Sequence, residues 1–112
     1  MDLSIVIVSW NVADLLDNCL KSILAHPPLG SYEILVVDNA SKDQSVKILQ
    51  ERFPQVRLIL NDENVGFAAA NNQAMHAAQG RYILLLNPDT IVFDGTFQYL
   101  VDFLDQHPQA GA

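Results

Sequence analysis

The sequence predicts an α/β fold, a mainly parallel, doubly wound sheet of about four strands with helices on both faces, and three observations lead to it. Four short runs rich in Ile, Leu and Val stand at Leu3 to Val8, Tyr32 to Val37, Val56 to Leu60 and Tyr82 to Leu86. They are continuous rather than alternating, the pattern of strands buried on both faces. Segments with helical periodicity lie between them. Strand then helix, repeated in this way, favours parallel pairing through right-handed crossovers.

Taken in order, the first run leads into a helical stretch carrying Leu15, Leu16, Cys19, Leu20, Ile23 and Leu24, which His26-Pro27-Pro28 closes. A second helix carries Val46, Leu49 and Phe53, and Ser41 with Gln44 three residues on predicts a capping box at its start. The third, about Phe67 to Gln79, is built mostly of Ala and Asn, so it can approach the sheet closely, and Gly80 is expected to end it. Asp94 is expected to cap a fourth helix with Phe97, Leu100, Val101 and Leu104 on one face. No internal repeat, low-complexity tract or interdomain linker interrupts the pattern.

Composition agrees with one packed domain. Half of the 112 residues are hydrophobic and 17% are charged, a balance that favours a core over disorder. A formal net charge of -7 would repel nucleic acid and the anionic face of a membrane, so no nucleic-acid partner is expected. One cysteine, Cys19, cannot make an internal disulfide or a zinc site, and its apolar neighbours predict a buried residue. The start of the sequence lacks a secretory signal and no apolar stretch reaches membrane-spanning length. A cytoplasmic location is therefore expected, peripheral at the inner face of the membrane if a fuller protein carries a membrane contact.

Each strand empties into a polar cluster: Ser9-Trp10-Asn11, Asp38-Asn39-Ala40-Ser41, Asn61-Asp62-Glu63-Asn64 and Asn87-Pro88-Asp89-Thr90. In an open parallel sheet these ends share one edge, where ligands bind in the crevice. No Gly-x-Gly-x-x-Gly and no Gly-Lys-Ser/Thr loop is present, so a phosphate group would need another counter-charge. A carboxylate-held divalent cation could supply it, with Asp89 the best-placed ligand. Plainer explanations stand beside these. Asn87-Pro88-Asp89-Thr90 is also an ordinary turn with Pro at its second position, and Asp38 to Ser41 is also a strand-ending turn with a helix cap. For Trp10, and for Asn64-Val65-Gly66, covering the core end and turning the chain are the preferred roles. His26, His76 and His107 share no metal-like spacing and receive no function.

Four motifs in order resemble glycosyltransferase family 2 across nearly the whole chain. These are Val8-Ser9-Trp10-Asn11, Val36 through Asp43, Asn64-Val65-Gly66-Phe67 with Asn71-Asn72 and Gly80-Arg81-Tyr82, and Leu86 through Thr90. The resemblance implies a GT-A fold whose Rossmann-like, nucleotide-sugar-binding half is residues 1–112, with the acceptor-binding half outside this chain. It further implies that the Val8 and Ser9 backbone, with Asn11, Asp38 and Asn39, holds the nucleoside. By the same resemblance Gly66 and Asn72 shape the donor-pocket floor, Asn87 lines the donor site, and Asp89 stands for the last carboxylate of an Asp-x-Asp metal motif. The implied reaction is inverting transfer of a sugar from a nucleoside diphosphate to an acceptor hydroxyl in polysaccharide or glycan biosynthesis, with Mn2+ or Mg2+ stabilising the departing diphosphate.

Asn87 replaces the first acid of that metal motif, which implies weak metal binding without ligand, and Asn39 replaces a frequent second Asp, so that Asp38-Asn39-Ala40-Ser41 stands with Asn87-Pro88-Asp89-Thr90. The combination resembles a rhamnosyltransferase-like branch that uses dTDP-rhamnose. Members carry the catalytic base downstream of the metal motif, so the 112-residue chain is expected to bind donor and transfer no sugar by itself. The glycan or lipid-linked acceptor would then be held by the other half. The alternative is a truncated or degenerate nucleotide-binding module. A sugar-nucleotide pyrophosphorylase would need a Gly-rich basic loop where Ser9-Trp10-Asn11-Val12 stands, and a phospho-acceptor signalling domain would need paired acids after its first strand.

Overall fold

The computed structural model describes residues 1–107. Strands β1 (Leu3–Ser9), β2 (Tyr32–Asp38), β3 (Arg57–Leu60) and β4 (Tyr82–Leu86) alternate with helices α1 (Ala13–Ala25), α2 (Ser45–Arg52), α3 (Phe67–Ala77) and α4 (Thr96–Gln106). The strands form one sheet in the order β3-β2-β1-β4, and every pairing is parallel. Ser9 lies level with Asp38 and Asp38 with Leu60, while Leu86 ends β4 opposite Ile7. The carboxyl ends therefore share an edge, as the sequence predicts.

Alternation along β1 and β2 separates the core into two layers. Leu3, Ile5 and Ile7, with Ile34 and Val36, pack against Leu16, Leu20 and Ile23 of α1, Ile48 and Leu49 of α2, and Phe97 and Val101 of α4. On the opposite face Val6, Leu35 and Val37 meet Ala70 and Ala74 of α3, whose methyl side chains let the helix sit close to the sheet. Each large apolar side chain buried this way contributes about 1.5–3 kcal/mol. Packing of this size outweighs the few tenths by which helix propensities differ.

Several sequence expectations need correction. Continuous apolar runs predicted burial on both faces for all four strands, but only β1 and β2 are enclosed. The outer strands leave Leu60 52% and Leu85 45% exposed, because an edge strand has a neighbour on one side only. Leu15 is exposed and the buried stripe of α1 is Leu16, Cys19, Leu20 and Ile23. The capping box at Ser41 and Gln44 does not form. Ser41 Oγ is engaged with Asp38 and Asn11, and the Asp43 carboxylate accepts from Ser45 N–H instead.

At the start of α4, Gly95 holds the N-cap position at φ 79° and no side chain caps the helix, so Asp94 does not play that part. Nor does Gly80 cap α3, which ends at Ala78 in extended conformation. Gly80 is needed two residues later because a Cβ there would lie 2.4 Å from the backbone nitrogen of Ser4.

That close approach belongs to a polar cluster at the amino edge. Glu33 Oε2 accepts hydrogen bonds from Ser4 Oγ and Gln79 N–H, both at 2.6 Å. Its Oε1 accepts from Arg57 Nη1 at 2.6 Å, and Gly80 N–H donates to Ser4 Oγ at 2.8 Å. Burial pushes the Glu33 carboxyl up, but the bonds from Ser4, Gln79 and Arg57 outweigh it and hold it below the usual glutamate value.

Candidate functional site

At the carboxyl edge the chain leaves β1 through a buried residue. Ser9 is fully buried, its carbonyl accepts from Asn39 N–H at 2.9 Å, and its hydroxyl has no partner among the described residues. Val8 before it is half-buried against the α3 layer. Trp10 then emerges 53% exposed, so its ring does not serve as a cover for the core end, the role the sequence favoured. Asn11 adopts a left-handed φ of 53°, a conformation that Asn tolerates better than most residues.

A second turn interlocks with the first. Asp38 is 1% exposed; its Oδ2 accepts from Ser41 N–H at 2.9 Å and its Oδ1 from Ser41 Oγ at 2.7 Å. The same hydroxyl accepts from Asn11 N–H at 2.9 Å, while Asn11 Oδ1 accepts from Lys42 N–H at 2.7 Å. Ala40, between them, is held at φ 61°, a strained conformation for alanine. Asp43 completes the lock: Oδ2 accepts from Ala13 N–H, the first residue of α1, and Oδ1 from Ser45 N–H, the first of α2. One carboxylate thus caps two helices, and the bonds from Ser45 and Ala13 outweigh burial to hold its pKa down.

The third and fourth strand ends complete the edge. Asn39, 2% exposed, donates from Nδ2 to Gly66 O and accepts at Oδ1 from Asn61 Nδ2. Gly66 takes φ 88°, which favours glycine, and Asn64 Oδ1 accepts its N–H, so this segment does turn the chain into α3. Asn72 is exposed on α3 while Asn71 beside it is buried. Thr90 N–H donates to Asn87 O at 3.1 Å, closing the turn that the Asn-Pro-Asp-Thr sequence predicts.

Both Asn87 and Asp89 are exposed on that turn. Unlike Asp38 and Asp43, Asp89 is engaged by no hydrogen bond or ion pair among the described residues. The turn abuts α1, where burial and then the Asp89 charge push the Cys19 thiol up to about 11 and keep it protonated.

These donors form no preformed metal cage. Among the described residues no three His, Cys, Asp or Glu side chains group closely enough to hold an ion. The exposed carboxylate of Asp89 and the amide oxygen of Asn87 are hard donors that fit one side of Mg2+ or Mn2+, with the remaining ligands left to phosphate and water. The histidines stay apart, with His26 ending α1 and His107 Nδ1 bonded to Phe103 O.

The sequence-predicted residues thus converge on one edge, but with different engagements. Val8, Ser9, Asp38 and Asn39 are buried or half-buried, Asn11 is exposed but bonded to Ser41 and Lys42, and Gly66, Asn72, Asn87 and Asp89 lie exposed. Sequence reasoning missed the tie made by Asp43, whose signal was the Asp-x-Ser spacing ahead of α2. It also missed the carboxamide bonds of Asn61 and Gln73, which lie 12 residues apart and have no local signature.

Order β3-β2-β1-β4 puts the reversal of strand order beside β1, with the connection through α3 on the opposite face from α1 and α2. The crevice at such a reversal is the ligand-binding place of open α/β sheets. The turns bearing Trp10 and Asp89 flank it.

Comparison with known proteins agrees. The family profile described as Glycosyl transferase family 2 matches residues 4–112. The minor teichoic acid biosynthesis protein GgaB of Bacillus subtilis is 31% identical over 111 residues, which are 95% of this chain and 12% of that protein. The crystal structure of S. aureus TarS 1–349 superposes with a TM-score of 0.85 at 23% identity, over 96% of this chain and 33% of that one. A mannosyltransferase from Pyrobaculum calidifontis, PcManGT, superposes with a TM-score of 0.78 at 28% identity, over 91% of this chain and 32% of that one. The chain therefore spans about a third or less of these proteins, and its four-stranded parallel sheet with flanking helices is the GT-A arrangement. By its family match across nearly all of its length, the chain belongs to glycosyl transferase family 2.

Proposed function

We propose that this chain supplies the donor-binding part of an inverting glycosyltransferase that moves a sugar from a nucleoside diphosphate to an acceptor hydroxyl in polysaccharide or glycan biosynthesis. One observation carries the proposal. Of the carboxylates at the sheet edge, Asp38 and Asp43 are tied into the protein and Asp62 and Glu63 are exposed after the outer strand β3, while Asp89 is exposed and unengaged on the turn beside the strand-order reversal. Neighbouring structures support the ligand class: TarS 1–349 has been crystallised with UDP and with UDP-GlcNAc, and PcManGT with GDP-Man and Mn2+.

In this proposal the interlocked ends of β1 and β2, Val8 through Asn11 with Asp38 and Asn39, form the nucleoside seat. The side chains of Asn11 and Asn39 already have partners, so they act by holding backbone in place. The exposed face of Trp10 offers a surface for a base. Gly66 and Asn72 form the floor and Asn87 lines the diphosphate side. Asp89 and Asn87 would hold one side of Mn2+ or Mg2+, which when bound offsets the charge developing on the departing diphosphate. The acceptor, glycan or lipid-linked, and the base that takes its proton are assigned to the part of the longer protein outside this chain.

The donor assigned is dTDP-rhamnose, on the pairing of Asp38-Asn39-Ala40-Ser41 with Asn87-Pro88-Asp89-Thr90. A cytoplasmic site of action belongs to the same proposal, and fractionation of the longer protein tests it. No helix among the described residues is long and apolar enough to cross a membrane.

A nucleotide-binding module without catalysis is the second possibility, favoured by Asn87 standing where the metal motif would carry its first acid. Calorimetric titration with dTDP and UDP, each with and without Mn2+ or Mg2+, separates the two when repeated on Asp89→Ala. Donor binding predicts metal-dependent affinity that the variant loses, with dTDP preferred. Equal, metal-independent binding by both proteins would sink the Asp89 assignment and favour the module.

A further inference from the structure

We infer that Asn61 is a positioning residue, which holds the loop of residues 62–66 and the end of β2 in the shape that receives the donor without touching the donor itself. The inference rests on the donor-binding proposal above. Asn61 follows the edge strand β3, and its N–H donates to Asp38 O at 3.0 Å, carrying the ladder one step past the strand. Its carboxamide then makes three bonds. Nδ2 donates to Asn39 Oδ1 at 2.9 Å and to Gln73 Oε1 at 2.8 Å, and Oδ1 accepts from Gln73 Nε2 at 2.9 Å. Both amide hydrogens are used, a pattern that neither Asp nor Ser can reproduce.

The consequence passes through Asn39. A buried carboxamide can face either way, and with Oδ1 turned to Asn61 its Nδ2 must face Gly66 O, which it meets at 3.3 Å. Reversing Asn39 would set its amino group against the Asn61 amino group and its oxygen against Gly66 O, donor to donor at one side and acceptor to acceptor at the other. Gly66 O also accepts from Ala70 N–H in the first turn of α3, so one carbonyl joins the loop, the helix and β2. Every residue from Asp62 to Gly66 is exposed, so no buried apolar side chain pins this loop. Its shape depends on these polar ties, and a segment of that kind opens locally at low cost.

Two variants test this, Asn61→Asp and Gln73→Leu; the second sits at an exposed helical position where Leu is a good helix former, so it folds even if the first does not. Amide exchange is followed at Asn61, Gly66 and Ala70, with melting temperature and dTDP and UDP affinity measured beside it. The expected result is faster exchange confined to this loop and helix start, an unchanged melting temperature, and nucleotide affinity weaker by about fivefold. Saturating nucleotide should restore slow exchange. Wild-type exchange and affinity in a folded variant would overturn the inference. If the wild-type chain binds neither nucleotide, the donor proposal fails; faster loop exchange in the variants would still uphold the positioning of the loop by Asn61, and unchanged exchange would overturn it.

Discussion

At the amino edge of the sheet, Glu33 has both carboxylate oxygens engaged by Ser4, Gln79 and Arg57, and Gly80 packs its backbone against Ser4. At the carboxyl edge, Asp38 and Asp43 are engaged in the same way, yet Trp10, Asn87 and Asp89 stand exposed beside them. Both edges are polar. Closure distinguishes them: a cluster whose donors and acceptors are all paired stabilises the fold, and one that leaves a carboxylate and an aromatic face open can take a ligand. Stability should therefore respond to changes at the first edge, and ligand binding to changes at the open residues of the second.

The largest effect is expected from Glu33→Ala. Removing it leaves Ser4 Oγ and Gln79 N–H without their shared acceptor, at about 1–3 kcal/mol for each group that stays buried, while the half-exposed Arg57 turns to water. Denaturant unfolding measures this, and a change below about 1 kcal/mol would mean that the cluster is not closed in solution. Gly80→Ala comes next, at about 2 kcal/mol, because the new methyl meets Ser4 backbone, which cannot move aside as a flexible side chain could. In both variants metal-dependent nucleotide affinity of the folded chain should be unchanged.

Acid should act through the same group. The Glu33 carboxyl lies below its ordinary value of 4.5, so its contribution to stability is complete above that pH and is lost as pH falls through the lowered value. Asp17, held down by the hydrogen bond from Lys21 against the effect of burial, and Asp43 add losses in the same direction, starting from 3.8. Stability measured from pH 6 to pH 3 should decline below about 4.5, and less steeply in Glu33→Ala. A slope identical in the two proteins would remove Glu33 from the account.

What the sequence made legible follows from how local each signal was. The strands and helices were readable because an apolar run or stripe needs only neighbouring residues, and Thr90 bonding to Asn87 was readable from Pro88. Which strands would be edges was not, since exposure of Leu60 and Leu85 depends on sheet order. The capping box at Ser41 failed because a residue 30 positions away, Asn11, competes for its hydroxyl. At the site, the gathering of Ser9, Asp38 and Asp89 on one edge followed from the strand pattern, but the partners of Asn39 and Asn61 are set by the tertiary fold. Trp10 was misjudged for the same reason: its position after β1 was clear, whereas its exposure depended on what packs around it.

The finest test of the contrast lies within the carboxyl edge, between two aspartates. Asp43 accepts from the first residues of α1 and α2, so Asp43→Ala removes a cap from each and should cost about 1–2 kcal/mol. Asp89 is exposed and accepts nothing within the protein among the described residues, so Asp89→Ala should change stability by no more than about 0.5 kcal/mol. A small gain is also consistent, because removing a negative charge from a chain of net charge -7 relieves repulsion. Paired unfolding curves for the two variants would show it. A loss of 1 kcal/mol or more at Asp89 would mean that its carboxylate is engaged in the protein after all, and the open character of this edge would then rest on Trp10 and Asn87 alone.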